Sequence, residues 1–353
     1  MVALANGFAS RGFDVDLVLA AAVGPYLADL SPSVKLYDLG AARVGRSLFP
    51  LIRYLWVRRP AVMLSFMGHA NVIAIMAAKL SMTGVRVVVS EHSSITGEYD
   101  VATGFSERAV FKLIPFLYPR ADAVCSVSEG AARDLERFVR LNTGVVRTIH
   151  NPFDLDRIAE RAAETVCHPW ITSGDMPVIL AVGRLHEVKG FEVLLEALHS
   201  LRKKRPVRLM ILGEGEMRSD LEEFAARLGL GPNDFQMPGF AANPYAWMSV
   251  CSVFVLSSRR EALPGVVIEA MACGAPIVST DCVSGPSEIL VGGLFGTLVP
   301  VGDVEALAEG IDRVLQTPRS ALPDVKARAA DFGQEASVDS YLDLFGLPRR
   351  VSW

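Results

Sequence analysis

Cysteine is scarce and poorly placed for cross-linking: Cys125, Cys167, Cys251, Cys273 and Cys282 are odd in number, far apart and mostly in apolar runs. That argues against a disulfide scaffold and reads as reduced core thiols in a reducing compartment, the cytoplasm. No Cys/His cluster has zinc-ligand spacing and the six histidines are scattered, so no metal is expected. Long apolar runs are missing as well. The most apolar window, residues 62–78, is broken by His69 and Asn71 and is too short to span a bilayer, so any membrane contact is expected to be peripheral. No signal peptide is evident and no solenoid-type repeat is visible. Gly213-Glu214-Gly215 offers two glycines where a dinucleotide fingerprint needs three.

What is present is core material. Of 353 residues, 51% are hydrophobic and 21% charged, so the chain is globular and long enough for two domains. Residues 1–150 hold 16 Lys/Arg against 12 Asp/Glu, a net of +4, while the remainder holds 19 against 27, a net of −8. The basic N-terminal half suits an anionic lipid surface or a phosphorylated acceptor, and nothing suggests nucleic acid. Short apolar runs at 14–20, 34–39, 62–66, 86–90, 123–127 and 145–149 read as strands, with helices at 1–9, 47–57, 70–80 and 105–120, the last interrupted by Pro115. Further strands follow at 178–182, 209–212, 253–256 and 276–279, and helices close the chain over 322–345. The alternation predicts an α/β protein with parallel sheets. Residues 154–176, charged and carrying Pro169 and Gly174, read as a linker.

Ligands in such sheets bind beyond the carboxyl ends of strands, and four stretches sit there. After strand 253–256 comes Ser257-Ser-Arg-Arg-Glu261-Ala-Leu-Pro-Gly-Val-Val-Ile-Glu269, with Pro264 suited to a first helical turn and Gly265 leaving backbone N–H groups uncovered. A helix start of this kind seats phosphate. Glu269, a charge inside an apolar run, requires a reason. Gly183-Arg184-Leu-His-Glu-Val-Lys189-Gly190 places two cations at another strand end, able to neutralise charge on a departing diphosphate. In the N-terminal half, Glu91-His92 ends one strand and Ser65-Phe-Met-Gly-His69 another. Asp14-x-Asp16 and Asp154-x-Asp156 have the outline of a metal site, but one opens a strand and the other the linker.

Glu261 and Glu269, with seven residues between them, and Gly183-Arg184…Lys189-Gly190 resemble the motifs of the retaining glycosyltransferases of family 4. His150-Asn-Pro-Phe-Asp154 and Ser284-Gly-Pro-Ser-Glu-Ile289 are similar to further family tracts, the latter to transferases of bacterial surface polysaccharides. Ala262 stands where the family usually has glycine. The resemblance implies the GT-B architecture, two facing Rossmann-like domains: 1–153 on the acceptor side, 154–176 linking, 177–330 binding nucleotide-sugar, and 331–353 as a C-terminal helix and tail.

The resemblance also implies a hexosyl or N-acetylhexosaminyl transfer, with retention, from a UDP-sugar to a hydroxyl of a lipid-linked or glycan acceptor. The UDP-sugar is a co-substrate, and neither cofactor nor metal is implied. His92, Glu261, Arg184 and Lys189 would carry the chemistry. Gly183, Gly213, Gly215, Phe240, Ala262, Leu263, Pro264, Gly265, Val266 and Glu269 would bind the donor, Glu269 through the ribose. In the family a strand and a Gly-Gly loop precede the first helix, and the sequence carries neither. The first domain is therefore expected to be the less stable, and the chain to bind UDP but transfer poorly. A sugar-nucleotide epimerase, a phosphorylase and a non-catalytic sugar-nucleotide binder remain alternatives.

Overall fold

A computed structural model describes residues 1–349, without the side chains of Pro25, Tyr26, Phe105 and Ser106, so the last four residues of the expected tail lie outside the described residues. The chain forms two compact units: Met1–Phe153 with Gly333–Trp353, and Asp154–Phe332.

In unit 1, strands β1 (Val15–Leu19) and β2 (Val34–Asp38) pair in parallel. β3 (Val62–Phe66), β4 (Arg86–Glu91), β5 (Ala123–Ser126) and β6 (Arg147–Thr148) form a second parallel sheet in that order. β4, paired on both edges, is buried in all but its first residue, whereas every residue of β1 and β3 is half-buried. Successive residues of β4 point to opposite faces. Val87 and Val89 pack against helices Leu48–Arg58, Gly68–Ser81 and Phe105–Leu117, and Val88 packs against helix Gln334–Phe345 and Leu4 of helix Val2–Ser10. Pro115 does not interrupt its helix, which ends two residues later at Leu117 and tightens into a 3-10 turn over Tyr118–Arg120. The proline ring removes only the bond that its own nitrogen would make to the carbonyl four residues back, and the helix ends within a turn of that break.

One segment assignment differs from the sequence expectation. Residues 154–176 are not a bare linker: Asp154 caps a helix, Leu155–Ala162, by accepting from the Arg157 N–H at 3.0 Å. That helix joins unit 2, where Ser249 Oγ donates to the Ala162 carbonyl at 2.9 Å and Asn243 Nδ2 to the Arg161 carbonyl at 2.9 Å. Its charged majority hides one apolar line through Leu155, Ile158 and Ala162. Residues 334–345 form the expected C-terminal helix, but it does not stand apart: Val338, Tyr341, Leu342 and Phe345 form one apolar stripe that belongs to the unit 1 core. Arg11 clamps this helix by ion pairs to Glu335 and Asp339. Of the cysteines, Cys125, Cys251, Cys273 and Cys282 are buried thiols, while Cys167 is exposed.

Unit 2 holds one six-stranded parallel sheet. Its strands are β7 (Val178–Val182), β8 (Arg208–Leu212), β9 (Phe235–Gly239), β10 (Val253–Leu256), β11 (Ile277–Thr280) and β12 (Thr297–Val299), in the order β12-β11-β10-β7-β8-β9. Near-continuous burial of β7, β8, β10 and β11 reflects helices on both faces.

Leu342→Ala should destabilise unit 1 by about 2–5 kcal/mol, the usual cost of emptying a buried leucine site. Hydrogen exchange should accelerate in β4 and β5 and stay unchanged in β7. Equal acceleration in both units would contradict this division of the cores.

Candidate functional site

The carboxyl ends of β7, β8 and β10 meet through glycine. A Cβ on Gly213 would fall inside the Gly183 carbonyl, and one on Gly215 inside the Leu185 backbone. The loops therefore bond directly: Gly183 N–H to Leu212 O at 3.0 Å and Leu185 N–H to Glu214 O at 3.0 Å. Gly190, at φ 61°, leaves room for the Ser257 carbonyl, where a side chain would collide. Ser257 Oγ in turn donates to the Lys189 carbonyl at 2.8 Å, and Arg259 N–H to the Val188 carbonyl at 2.8 Å.

Stitched this way, the 183–190 loop delivers Lys189 Nζ to 2.7 Å from Glu261 Oε1. Ser258 Oγ donates to the same oxygen at 2.7 Å. Helix Gly265–Ala272 starts after Pro264, which stands at the cap position and not inside the first turn, and its N-terminus carries no side-chain cap. Ala262 is unstrained: the non-glycine residues with positive φ among the described residues are Arg59, Met67, Met82, Arg140 and Val291. Glu269 accepts from Tyr245 Oη at 3.3 Å, and burial pushes its carboxyl up to about 7, with the tyrosine bond opposing.

The structure thus brings Gly183, Lys189, Gly213, Gly215 and Glu261 into one bonded cluster, and Ala262, Leu263, Pro264, Gly265 and Val266 lead from it into the helix that carries Glu269. Arg184 is turned to Glu216, with Nη2 to Oε2 at 3.1 Å, and its side chain is 70% exposed. Phe240, just past edge strand β9, is exposed.

Sequence reasoning assigned no site role to four contributors: Gly190, Tyr245, Ser258 and Gly285. Gly285 at φ 92° lies so close to Pro264 Cδ that a Cβ would collide, which fixes the entry to the helix. Its signal was available, since a Ser-Gly-Pro turn at the end of a strand calls for a positive φ. Tyr245 had no signal, because only folding sets it beside a residue 24 positions on.

In unit 1, His92 Nε2 lies 3.1 Å from Ser90 Oγ, with its ring edge-on to Phe66 at 5.2 Å. Burial, helped by the nearby chain amino group, lowers its pKa to about 4, so the ring is neutral at pH 7. Neighbouring Glu91 is buried, and burial pushes its carboxyl up to about 7 despite bonds from Tyr118 Oη at 2.8 Å and Ser93 Oγ at 3.1 Å. Met67, leading from β3 into helix Gly68–Ser81, holds φ 73°, a strained value for its residue type. Asp14 pairs with Lys35, and Asp16 with Tyr54 and Arg58.

Residues 1–157 match the family model described as Glycosyltransferase Family 4, and residues 176–317 match Glycosyl transferases group 1. The chain belongs to glycosyltransferase family 4. Among its relatives is the Campylobacter jejuni N-acetylgalactosamine-N,N'-diacetylbacillosaminyl-diphospho-undecaprenol 4-alpha-N-acetylgalactosaminyltransferase, 30% identical over 251 residues that make up 71% of this chain and 66% of the relative. The Rhizobium meliloti lipopolysaccharide core biosynthesis glycosyltransferase LpsE is 34% identical over 177 residues, 49% of this chain and 51% of the relative. The chain thus spans about two thirds of the first relative and about half of the second. This family 4 chain shares its GT-B fold with sucrose-phosphate synthase of Thermosynechococcus elongatus, at TM-score 0.78 and 22% identity over 97% of this chain and 91% of that one. Anabaena Alr3699/HepE in complex with UDP and glucose matches at TM-score 0.77 and 18% identity, covering 98% and 95%.

Glu269 sets a pH test for unit 2. Its folded pKa of about 7 lies above the ordinary 4.5, so between these values the folded chain holds a proton that the unfolded chain releases. The associated stability is complete below about 4.5 and is lost as pH rises through 7. Glu269→Gln should therefore flatten the fall in the unit 2 melting temperature between pH 5 and pH 8. A variant as pH-sensitive as the parent would show that Glu269 is solvated.

Proposed function

We propose that this family 4 chain transfers a hexosyl or N-acetylhexosaminyl group, with retention and without a metal, from a UDP-sugar to a hydroxyl of a lipid-linked or glycan acceptor. The observation that carries the reading is Lys189 held against Glu261 at the approach to an uncapped helix start. A cation and open N–H groups in one place suit a diphosphate. In this reading Lys189, Arg184 and the helix start hold the diphosphate, Glu269 takes the ribose hydroxyls, and Glu261 with His92 addresses the sugar. Arg184 would have to leave Glu216, a surface pair of small cost. The bond from the anomeric carbon to the UDP oxygen breaks, a bond to the acceptor oxygen forms on the same face, and the acceptor proton passes to the departing phosphate.

Relatives named for diphospho-undecaprenol and lipopolysaccharide core substrates support the acceptor class, and the neighbour solved with UDP and glucose supports the donor. Work in the cytoplasm at the inner face of the membrane belongs to the same reading. Release of UDP from UDP-sugars only in the presence of an acceptor extract tests it, since a binder releases none.

Lys189→Ala should lower turnover by about two to three orders of magnitude, the usual effect of removing a charge-stabilising group. Unchanged kinetics would remove Lys189 from the diphosphate.

Calorimetry separates the two glutamates. Glu269→Gln should weaken UDP and UDP-sugar alike, whereas Glu261→Gln should weaken only the UDP-sugar. Identical losses for both ligands in both variants would contradict the layout.

A further inference from the structure

Helices Leu48–Arg58, Gly68–Ser81 and Phe105–Leu117 lie side by side on one face of the β3–β6 sheet, with Gly68–Ser81 in the middle. The sides turned away from the sheet are unusual for an outer layer. On the first helix, Leu51, Ile52 and Leu55 face inward, leaving Phe49, Arg53 and Trp56 to point out. Phe49 is 78% exposed and Trp56 55%, with the Trp56 indole N–H bonded to the Ser81 carbonyl at 2.8 Å. The middle helix exposes Leu80 at 55%, while its Ile73 and Met76 are half-buried against the core. On the third, Phe111 and Ile114 face inward while Lys112, Leu113 and Phe116 point out, Phe116 at 66% exposure.

Charge on this layer is mostly of one sign. The first two helices contain no acidic residue and the third contains only Glu107, whereas Arg53, Lys79 and Lys112 are exposed and form no ion pair among the described residues. Arg120 follows, held by a bond to the Phe116 carbonyl. A helix dipole accounts for cations in a last turn but not for Phe49, Trp56 and Phe116 in water. Unit 2 supplies the comparison: helices Arg218–Arg227 and Val304–Gln316 expose Glu222, Glu223, Glu305 and Glu309 and no large apolar side chain. The arginines of helix Glu129–Val139, which extend the basic count of unit 1, are offset locally, Arg133 by Glu129 at 3.2 Å and Arg137 by Asp134 at 3.9 Å.

We infer that this three-helix face is an interfacial membrane-binding surface for anionic lipid headgroups, with the aromatic side chains entering the headgroup region and Arg53, Lys79, Lys112 and Arg120 pairing with lipid phosphates. Aromatic anchors alternating with unpaired cations fit an anionic lipid surface in both polarity and charge. No helix among the described residues is long and apolar enough to cross a membrane. The assignment deepens the proposed work at a membrane by naming its surface, but it is read from unit 1 alone and does not depend on the transfer chemistry.

The test is sedimentation of the full chain with vesicles of phosphatidylglycerol mixed with phosphatidylcholine, and with phosphatidylcholine alone. The chain should pellet with the mixed vesicles, less so as salt rises, and stay in solution with the neutral ones. R53E/K112E and, separately, F49S/F116S should each weaken pelleting by about tenfold or more at an unchanged melting temperature. No pelleting, equal pelleting with neutral vesicles, or variants that pellet like the parent would overturn the inference. So would a dimer in ultracentrifugation that F49S/F116S dissolves, which would assign the face to a second copy of the chain. Sedimentation needs neither donor nor acceptor, so its failure leaves the transfer reading standing, and failure of transfer leaves the surface standing.

Discussion

Backbone packed directly on backbone at the carboxyl ends of β7, β8 and β10 is the constraint on which the rest of the unit 2 site depends. Gly213 against Gly183, Gly215 against Leu185 and Gly190 against Ser257 bring three loops closer than any Cβ would permit. Once they are that close, ordinary hydrogen bonds suffice to hold them, and the direction of Lys189 is set by its own carbonyl, which Ser257 grips. A freely moving lysine loses considerable rotamer entropy on pairing. Here much of that ordering is supplied by the loop, so the ammonium meets Glu261 from a backbone already in place. Gly285 does the same for the other side by pinning Pro264 and thereby the start of the helix.

The two glutamates of the motif end in opposite electrostatic states. Glu261 has a lysine and a serine hydroxyl on one oxygen, so its charge is balanced within the loop cluster. Glu269 has only a phenol and lies among apolar residues, so it holds its proton to about pH 7. A ligand that donates hydroxyl hydrogens to Glu269 must meet the carboxylate, and supplying those donors favours ionisation. The spacing along the sequence is thus a spacing between a balanced charge and a latent one. Neither state follows from spacing.

How much of this was legible in the sequence depended on how local the cause was. Strands of unit 2 stood out because a sheet covered on both faces demands continuous apolar runs, as Ile179, Leu180 and Ala181 show. Gly183, Arg184, Lys189, Glu261 and Glu269 were legible because charge and glycine at strand ends have few structural reasons to be there. Leu155–Ala162 was misread since its three apolar positions are diluted by charge, and what orders it is Ser249 and Asn243, far along the chain. The closing helix was legible as a helix, but nothing local says that it belongs to the sheet of unit 1 and to Arg11. At Glu91-His92 the sequence singles out the histidine, while the glutamate is the more deeply buried and is held by Tyr118, which is 27 residues away.

The charge asymmetry of the chain shows why a net count is a weak guide to function and a surface is a stronger one. The cations placed in the unit 2 site, Arg184 and Lys189, are matched by Glu216 and Glu261, so they contribute nothing to the net sign of their unit. That unit is negative because its outer helices carry glutamate on the solvent side, which is where an amphipathic helix ordinarily keeps its charges. Residues 1–150 are positive by a margin of only four, a value that surface drift alone can produce. What drift does not produce is the removal of acids from two neighbouring helices together with the exposure of Phe49 and Trp56 between the remaining cations. Single exposed apolar side chains are ordinary, whereas several gathered on one face mark a surface of interaction. The information therefore lies in which faces the charges leave empty, and it becomes readable only when helices far apart in sequence are laid side by side.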